Sequence, residues 1–333
     1  MEIKEVVLKC EREAVKAFLS GFGLKYREDT DSTIYAEENG EIVGSVSHTQ
    51  NVITCLAVSE KMRGENLAAT LVGQMMARLR EEKIYGYRVF TKPEYRPLFE
   101  SMGFRYLVGG DDFVALEGGE CNVEKAVDGL VRKVSCELGG IEDDTAAIVI
   151  NGNPFTEGHL ALCEYALARH KRLLLFVLEE DISEFSFKER FSLAFLATRP
   201  YAERLSVLPS TEYVVSRATF PDYFLHGADE ATCAYAKYDA EIFKKFFMEP
   251  LGIKKRYFGS EVTDYMQIYN GAMKSVLGDS AEIIERVKKD GETVSAKSVR
   301  RLISEGKYNE AVSLVPTACR AVFSMLIRSK DGS

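Results

Sequence analysis

Residues Ile148 to Ala166 read IVINGNPFTEGHLALCEYA. A β-branched apolar run leads into Asn151, Gly152, Asn153 and Pro154, then into Phe155, Thr156, Gly158 and His159 at the head of a helical pattern. The first N–H groups of a helix have no partner inside it, and its dipole favours an anion at that end. A glycine there lets backbone amides approach phosphate oxygens. Thr156 adds a hydroxyl and His159 a ring N–H toward charge developing on a phosphoryl group. The blander alternative is an N-capping threonine followed by a core histidine.

Outward from this stretch the pattern alternates strand and helix. AAIVIN is continuous and β-branched, as in a strand buried on both faces. LALCEYALARH reads as helix, RLLLFVLEE as strand, FKERFSLAFLATRPYAE as helix and LSVLPS as strand. DAEIFKKFFMEPLGI reads as helix, and KKRYFGS and AEIIERVK as strands. The expectation is a Rossmann-like, doubly wound parallel sheet over residues 146–333. Its ligand would sit beyond the carboxyl ends of the strands at the switch point.

Residues 1–117 follow an α+β order instead. STIYAEENGEIVGSVSHT predicts a hairpin around Asn39-Gly40. NVITCLAVS reads as strand, LAATLVGQMMARLREEKI as helix, YRVFTKP as strand, EYRPLFESMGF as helix and FVALEG as a last strand. Between the two halves, residues 118–145 predict a connecting helix, with Val123, Val127, Leu130, Val131, Val134 and Leu138 at helical spacing.

The chain has 333 residues, more than one core usually serves. Its net charge of −8 disfavours a general nucleic-acid surface. The sequence has no apolar run of membrane-spanning length and no signal segment at its charged start. Seven cysteines, scattered and without a C-x-x-C pair, fit reduced thiols in a cytoplasm and give no zinc site. No residue is assigned as a metal ligand.

The first half resembles the GNAT acetyltransferases. Their phosphate-binding junction stands here as Arg63, Gly64, Glu65, Asn66, with Asn66 for the usual second glycine. The resemblance implies binding of CoA or a CoA-like prosthetic arm at Arg63, Gly64 and Asn66. The second half resembles the nucleotidylyltransferases through Thr156-x-Gly158-His159 and, near the C-terminus, VSAKSVRR. In the latter, Ser295, Val299 and Arg300 match the superfamily, and Lys297 stands for a serine or threonine. Ser295 suits a helix N-cap and phosphate donor, Arg300 a fork for phosphates. The strand end Gly259-Ser260-Glu261 resembles the nucleotide-side turn, where Glu261 would accept from a ribose or bind Mg²⁺ through water.

Along nearly its whole length the chain resembles the [citrate (pro-3S)-lyase] ligase family. NGNPFTEGH, FVLEEDISEFSFKERFSL, DAEIFKKFFMEPLGIKKRYFGSE, YNGAM, VSAKSVRRLI and LVPTACRAVF carry the likeness in order. Departures are Gly152 for the common cysteine, Ser260 and Val262 in the usual G-E-E-P, and Lys297. The resemblance implies an acid–thiol ligase using ATP and Mg²⁺. Acetate would be adenylated and passed to the phosphoribosyl-dephospho-CoA thiol of the citrate lyase acyl-carrier subunit, activating that lyase. His159, Thr156 and Arg300 would serve the chemistry, and Asn153, Pro154, Phe155, Gly158, Gly259, Glu261, Ser295 and Lys297 would hold ATP. Lys188 or Arg190 would meet acetate or phosphate, or else form a solvated helix start. Residues 218–224, ATFPDYF, would line an acyl channel or form a buried aromatic cluster. Two alternatives stay open: a nucleotidylyltransferase acting on a small phosphorylated metabolite, and a CoA-dependent acetyltransferase with a nucleotide-sensing domain.

Overall fold

A computed structural model of the chain describes residues 1–181, 183–215, 220–225, 227–260, 264–285, 288–289 and 292–331. The chain forms two compact units: Met1–Asn122 with Phe220–Tyr238, and residues 123–219 with 239–333.

The first unit carries β1 (Glu2–Glu5), α1 (Lys9–Ser20), β2 (Ser32–Glu38), β3 (Glu41–Thr49) and β4 (Val52–Val58). Then come α2 (Leu67–Glu81), β5 (Gly86–Thr91), α3 (Arg96–Ser101), β6 (Arg105–Gly109) and β7 (Val114–Gly119). The strands form one sheet in the order β1-β2-β3-β4-β5-β7-β6. The β2–β3 turn is the expected one: Glu38 pairs with Glu41 across Asn39 (φ 53°) and Gly40 (φ 83°). Two successive positive φ values define the tight hairpin turn that Asn-Gly favours. Leu67, Leu71, Met75 and Leu79 of α2 are fully buried at helical spacing.

β4 and β5 are parallel neighbours that pair only at Val52 with Arg88 and Ile53 with Val89. The Arg88 N–H donates to Asn51 O, so the Phe90 carbonyl, two residues on, also faces the β4 side. The Tyr223 hydroxyl donates to that carbonyl (2.7 Å), and the Tyr223 carbonyl accepts from Lys25 N (2.8 Å). The Phe220 ring packs edge-on against Phe90 at 5.6 Å. Phe220, Tyr223 and Phe224 are buried, which favours the aromatic-cluster reading of that stretch; Ala218 and Thr219 lie outside the described residues.

The second unit opens with α4 (Val123–Leu138), the helix expected as a connector, which packs along the strand Leu205–Pro209. It continues with β8 (Thr145–Ile150), α5 (Glu157–Leu167), β9 (Arg172–Val177), α6 (Phe187–Thr198) and β10 (Leu205–Pro209). After α7 (Ala228–Ile242) come β11 (Ile253–Gly259), α8 (Asp264–Leu277), β12 (Ala281–Ile284), α9 (Ala296–Ser304), α10 (Tyr308–Ser313) and α11 (Arg320–Asp331). The sheet order is β10-β9-β8-β11-β12 and every neighbouring pair is parallel. β9 is buried from Leu173 to Val177, as its unbroken apolar run requires.

The helix read at residues 239–253 differs in position. It begins at Ala228, ends in a wide turn over Phe243–Phe247, and gives way to β11 at Ile253. Asp239 fixes that end. Its carboxylate accepts from both Nη atoms of Arg256 (3.0 and 2.7 Å) and from the Tyr269 hydroxyl (2.7 Å), all buried. Asp239→Ala should therefore take the bidentate carboxylate from a buried guanidinium and cost roughly 3–5 kcal/mol. Urea unfolding measures this; a midpoint unchanged from wild type would contradict it.

Candidate active site

In this sheet the chain winds from β8 to β10 on one side and returns to β11 on the other. The switch point lies between β8 and β11, where open parallel sheets leave a crevice at their carboxyl ends. Residues 151–156 leave β8 there, and Gly259-Ser260 leaves β11. Gly152 has φ 64°, which favours glycine over the cysteine expected at that place. The Asn153-Pro154 peptide is cis. Phe155 is fully buried and pins the loop to the core of Ile148, Leu175, Phe185 and Phe323.

Thr156 caps α5 and is itself buried. The Thr156 N–H donates to Nδ1 of His159 (3.0 Å), and the Thr156 hydroxyl lies 2.9 Å from the same nitrogen. An Nδ1 that accepts an N–H bond leaves the neutral ring's proton on Nε2. The half-buried imidazole is thus locked as a donor at Nε2. The Thr156 hydroxyl, expected to meet phosphate, is turned to this ring.

The C-terminal motif comes to the same place. A Cβ on Gly158 would stand 2.6 Å from the Val294 carbonyl oxygen, so the glycine is required by the close approach of that segment. Ser295 caps α9, its Oγ accepting from Ser298 N at 3.1 Å, and Ser298 Oγ lies 2.9 Å from it. Arg300 Nη1 donates to the Asn153 carbonyl, and its Nε lies 3.9 Å from Glu184 Oε2. Lys297 is exposed on the first turn of α9. Ser260 N donates to Ile284 O at 2.7 Å, holding the β11 end beside β12. Glu261 and Val262 lie outside the described residues.

Arg190 is fully buried, against the expectation of a phosphate ligand or a solvated helix start. The signal available in SFKER was the capping box. Ser186 caps α6 and Glu189 Oε2 accepts from Ser186 N at 2.7 Å. Burial also raises the Glu179 carboxyl, just past β9, above the ordinary carboxylate range. His170 is partly buried and satisfied between Asp144 (2.8 Å) and the Tyr257 hydroxyl (2.9 Å). In the first unit, Gly64 (φ 90°) and Asn66 (φ 62°) form the left-handed entry to α2. Arg63 is exposed and lies 3.5 Å from Glu60.

The family model for the citrate lyase ligase C-terminal domain matches residues 145–323, and that for the GNAT acetyltransferase domain matches residues 7–115. The chain is 31% identical to a [citrate [pro-3S]-lyase] ligase of Klebsiella pneumoniae, over 97% of this chain and 95% of the relative. It is 30% identical to that of Haemophilus influenzae, over 91% and 92% of the two chains. This chain belongs to the citrate lyase ligase family. It is an enzyme of that type, with an N-terminal GNAT domain and a C-terminal ligase domain. Among solved structures, Escherichia coli ElaA is similar over 35% of this chain and 99% of its own, at 13% identity and a TM-score of 0.32. Among the ligase's described residues, no helix is long and apolar enough to cross a membrane.

In this ligase, Gly158→Ala should force the Val294 segment away from α5 and cost roughly 1–3 kcal/mol. A denaturation midpoint equal to wild type would show that the segment moves freely.

Proposed function

We propose that this protein adenylates acetate with ATP and passes the acetyl group to the prosthetic-group thiol of the citrate lyase acyl-carrier subunit, activating that lyase. The observation that carries the reading is the pairing of two motifs on one loop. An imidazole held as an Nε2 donor stands at the α5 start, and Arg300 reaches the same loop through Asn153. Family membership supports the lyase as target.

In the first step an acetate oxygen bonds to the α-phosphorus of ATP while the bond to the bridging oxygen breaks. Pyrophosphate leaves with the electron pair. Acetate is already a carboxylate nucleophile, so no general base is needed. Catalysis is then positioning and charge stabilisation. His159 donates from Nε2 to oxygens gaining charge, Thr156 fixes its tautomer, and Arg300 and the α9 start at Ser295 face the leaving phosphates. Pro154, Phe155 and Gly158 shape the loop, Gly259 borders the nucleotide, and Lys297 adds charge at the rim. In the second step the carrier sulfur bonds to the acyl carbon, AMP leaves, and the thiol proton passes to solvent. Magnesium would arrive with the nucleotide's phosphates, a mode of binding that needs no protein cage. Among the described residues no three His, Cys, Asp or Glu side chains gather as a metal site.

The first unit would grip the CoA-like arm at Arg63, Gly64 and Asn66 without transferring acetyl itself. What supports a grip at this loop is the left-handed pair Gly64 and Asn66, with Arg63 exposed beside it. Arg63→Ala with Asn66→Lys should raise the KM for the carrier several-fold and leave adenylation unchanged; unaltered carrier kinetics would remove this role.

The decisive experiment is ATP–pyrophosphate exchange over a panel of carboxylic acids. Exchange with acetate alone, reduced about 10²–10³-fold in His159→Ala, is the expected outcome. Exchange with another acid would keep the chemistry and replace acetate. Pyrophosphate release without AMP, driven by a phosphorylated metabolite, would favour the plain nucleotidylyltransferase.

A further inference from the structure

Among the described residues, two of the largest fully buried side chains are arginines, Arg190 and Arg256, and their hydrogen bonds go to different acceptors. Arg256 has the Asp239 carboxylate. Arg190 has main-chain carbonyls: Nε donates to Phe185 O (3.0 Å), Nη1 to Asn151 O (2.7 Å) and Leu178 O (2.8 Å), and Nη2 to Glu180 O. Four of its five donors are used, and among the described residues no carboxylate is hydrogen-bonded to it.

Those carbonyls come from the loop after β8, the loop after β9 and the entry to α6. Phe185 closes the pattern, since its N–H donates to Asn153 Oδ1 (3.1 Å) while its carbonyl accepts from Arg190. Asn153 in turn offers its carbonyl to Arg300. A continuous chain of bonds therefore runs from Arg190 through Phe185 and Asn153 to Arg300. Burying a guanidinium costs several kcal/mol, and a methionine would fill much of the space without that cost. Burial accordingly pulls the Arg190 pKa down, while a guanidinium stays charged in proteins. Core filling alone does not account for a cation placed where loop carbonyls converge at the rim of the sheet.

We propose that Arg190 is the positioning residue of the nucleotide site, its buried guanidinium fixing the loops after β8 and β9 so that Asn153, Arg300 and the start of α5 stand in register. The inference rests on the adenylation reading for its kinetic consequence. Its structural consequence, looser loops, does not.

The test compares Arg190→Lys, which keeps the charge but not the fork, with Arg190→Met, which keeps much of the volume. Both are assayed well below their own unfolding midpoints, so activity refers to folded enzyme. Hydrogen exchange of peptides spanning 151–160 and 178–185 should quicken in both, with β9 unchanged. The kcat for ATP–pyrophosphate exchange should fall about 100-fold, the scale of a 1 Å misplacement, with little change in the KM for the acid. Should Arg190→Met fail to fold, Arg190→Lys alone carries the comparison. Loosened loops with kcat within about threefold of wild type, or unchanged loops, would overturn the proposal. Wild type lacking exchange with every acid would sink the adenylation reading instead. Positioning would then be judged by whether ATP slows hydrogen exchange at 151–160 in wild type and fails to do so in the variants. Equal slowing in all three proteins would overturn it.

Discussion

The loop from Asn151 to Thr156 is the constraint on which the second unit depends. It leaves a strand buried on both faces and must deliver a helix start to solvent while its own main chain stays partly buried. Buried carbonyls outside a ladder need donors. Arg190 supplies one at Asn151 and Arg300 one at Asn153, so two cations far apart in the sequence hold one turn. Phe155 anchors the same turn by burial. The approach of Val294 to Gly158 then brings the α9 start beside the α5 start.

Arg256 marks the contrast. A carboxylate neutralises it, and Tyr269 completes the acceptor, so that cluster ties the α7 end to β11 at a distance from any rim. Main-chain carbonyls take the hydrogen bonds of Arg190, while the Glu180 and Asp181 carboxylates act on its charge without bonding to it. The difference suits the two locations. A bidentate pair ties a helix end to a strand, and a fork among carbonyls ties two loops to a helix start.

Much of this was legible in residue order. The Asn39-Gly40 turn defines the β2–β3 hairpin without tertiary help. The parallel sheet was legible because strands buried on both faces must be apolar throughout. Thr156 and His159 were legible as a pair, yet the sequence pointed both at phosphate, whereas three-residue spacing at a helix start lets the ring fold back onto the cap. The true start of α7 escaped because ATCAYAKYDAEI buries small residues, Ala234, Ala236 and Ala240, that give little apolar contrast. Arg190 escaped for a different reason: four acceptors, three of them five to twelve residues away and the fourth 39, cannot be read from a run of four or five letters.

The first unit carries the same lesson about fold and activity. Its GNAT family match places no chemistry in it, since one scaffold serves many functions. What matters is which polar groups remain available where two parallel strands part. There the Phe90 carbonyl is engaged by Tyr223, and Cys55, in a left-handed conformation on β4, turns its thiol to the Lys25 carbonyl at 3.6 Å. Lys25 N in turn holds Tyr223. Both contacts are made within the unit. These bonds fix Tyr223 and the Lys25 segment where the two strands part, so that opening is set by packing within the unit.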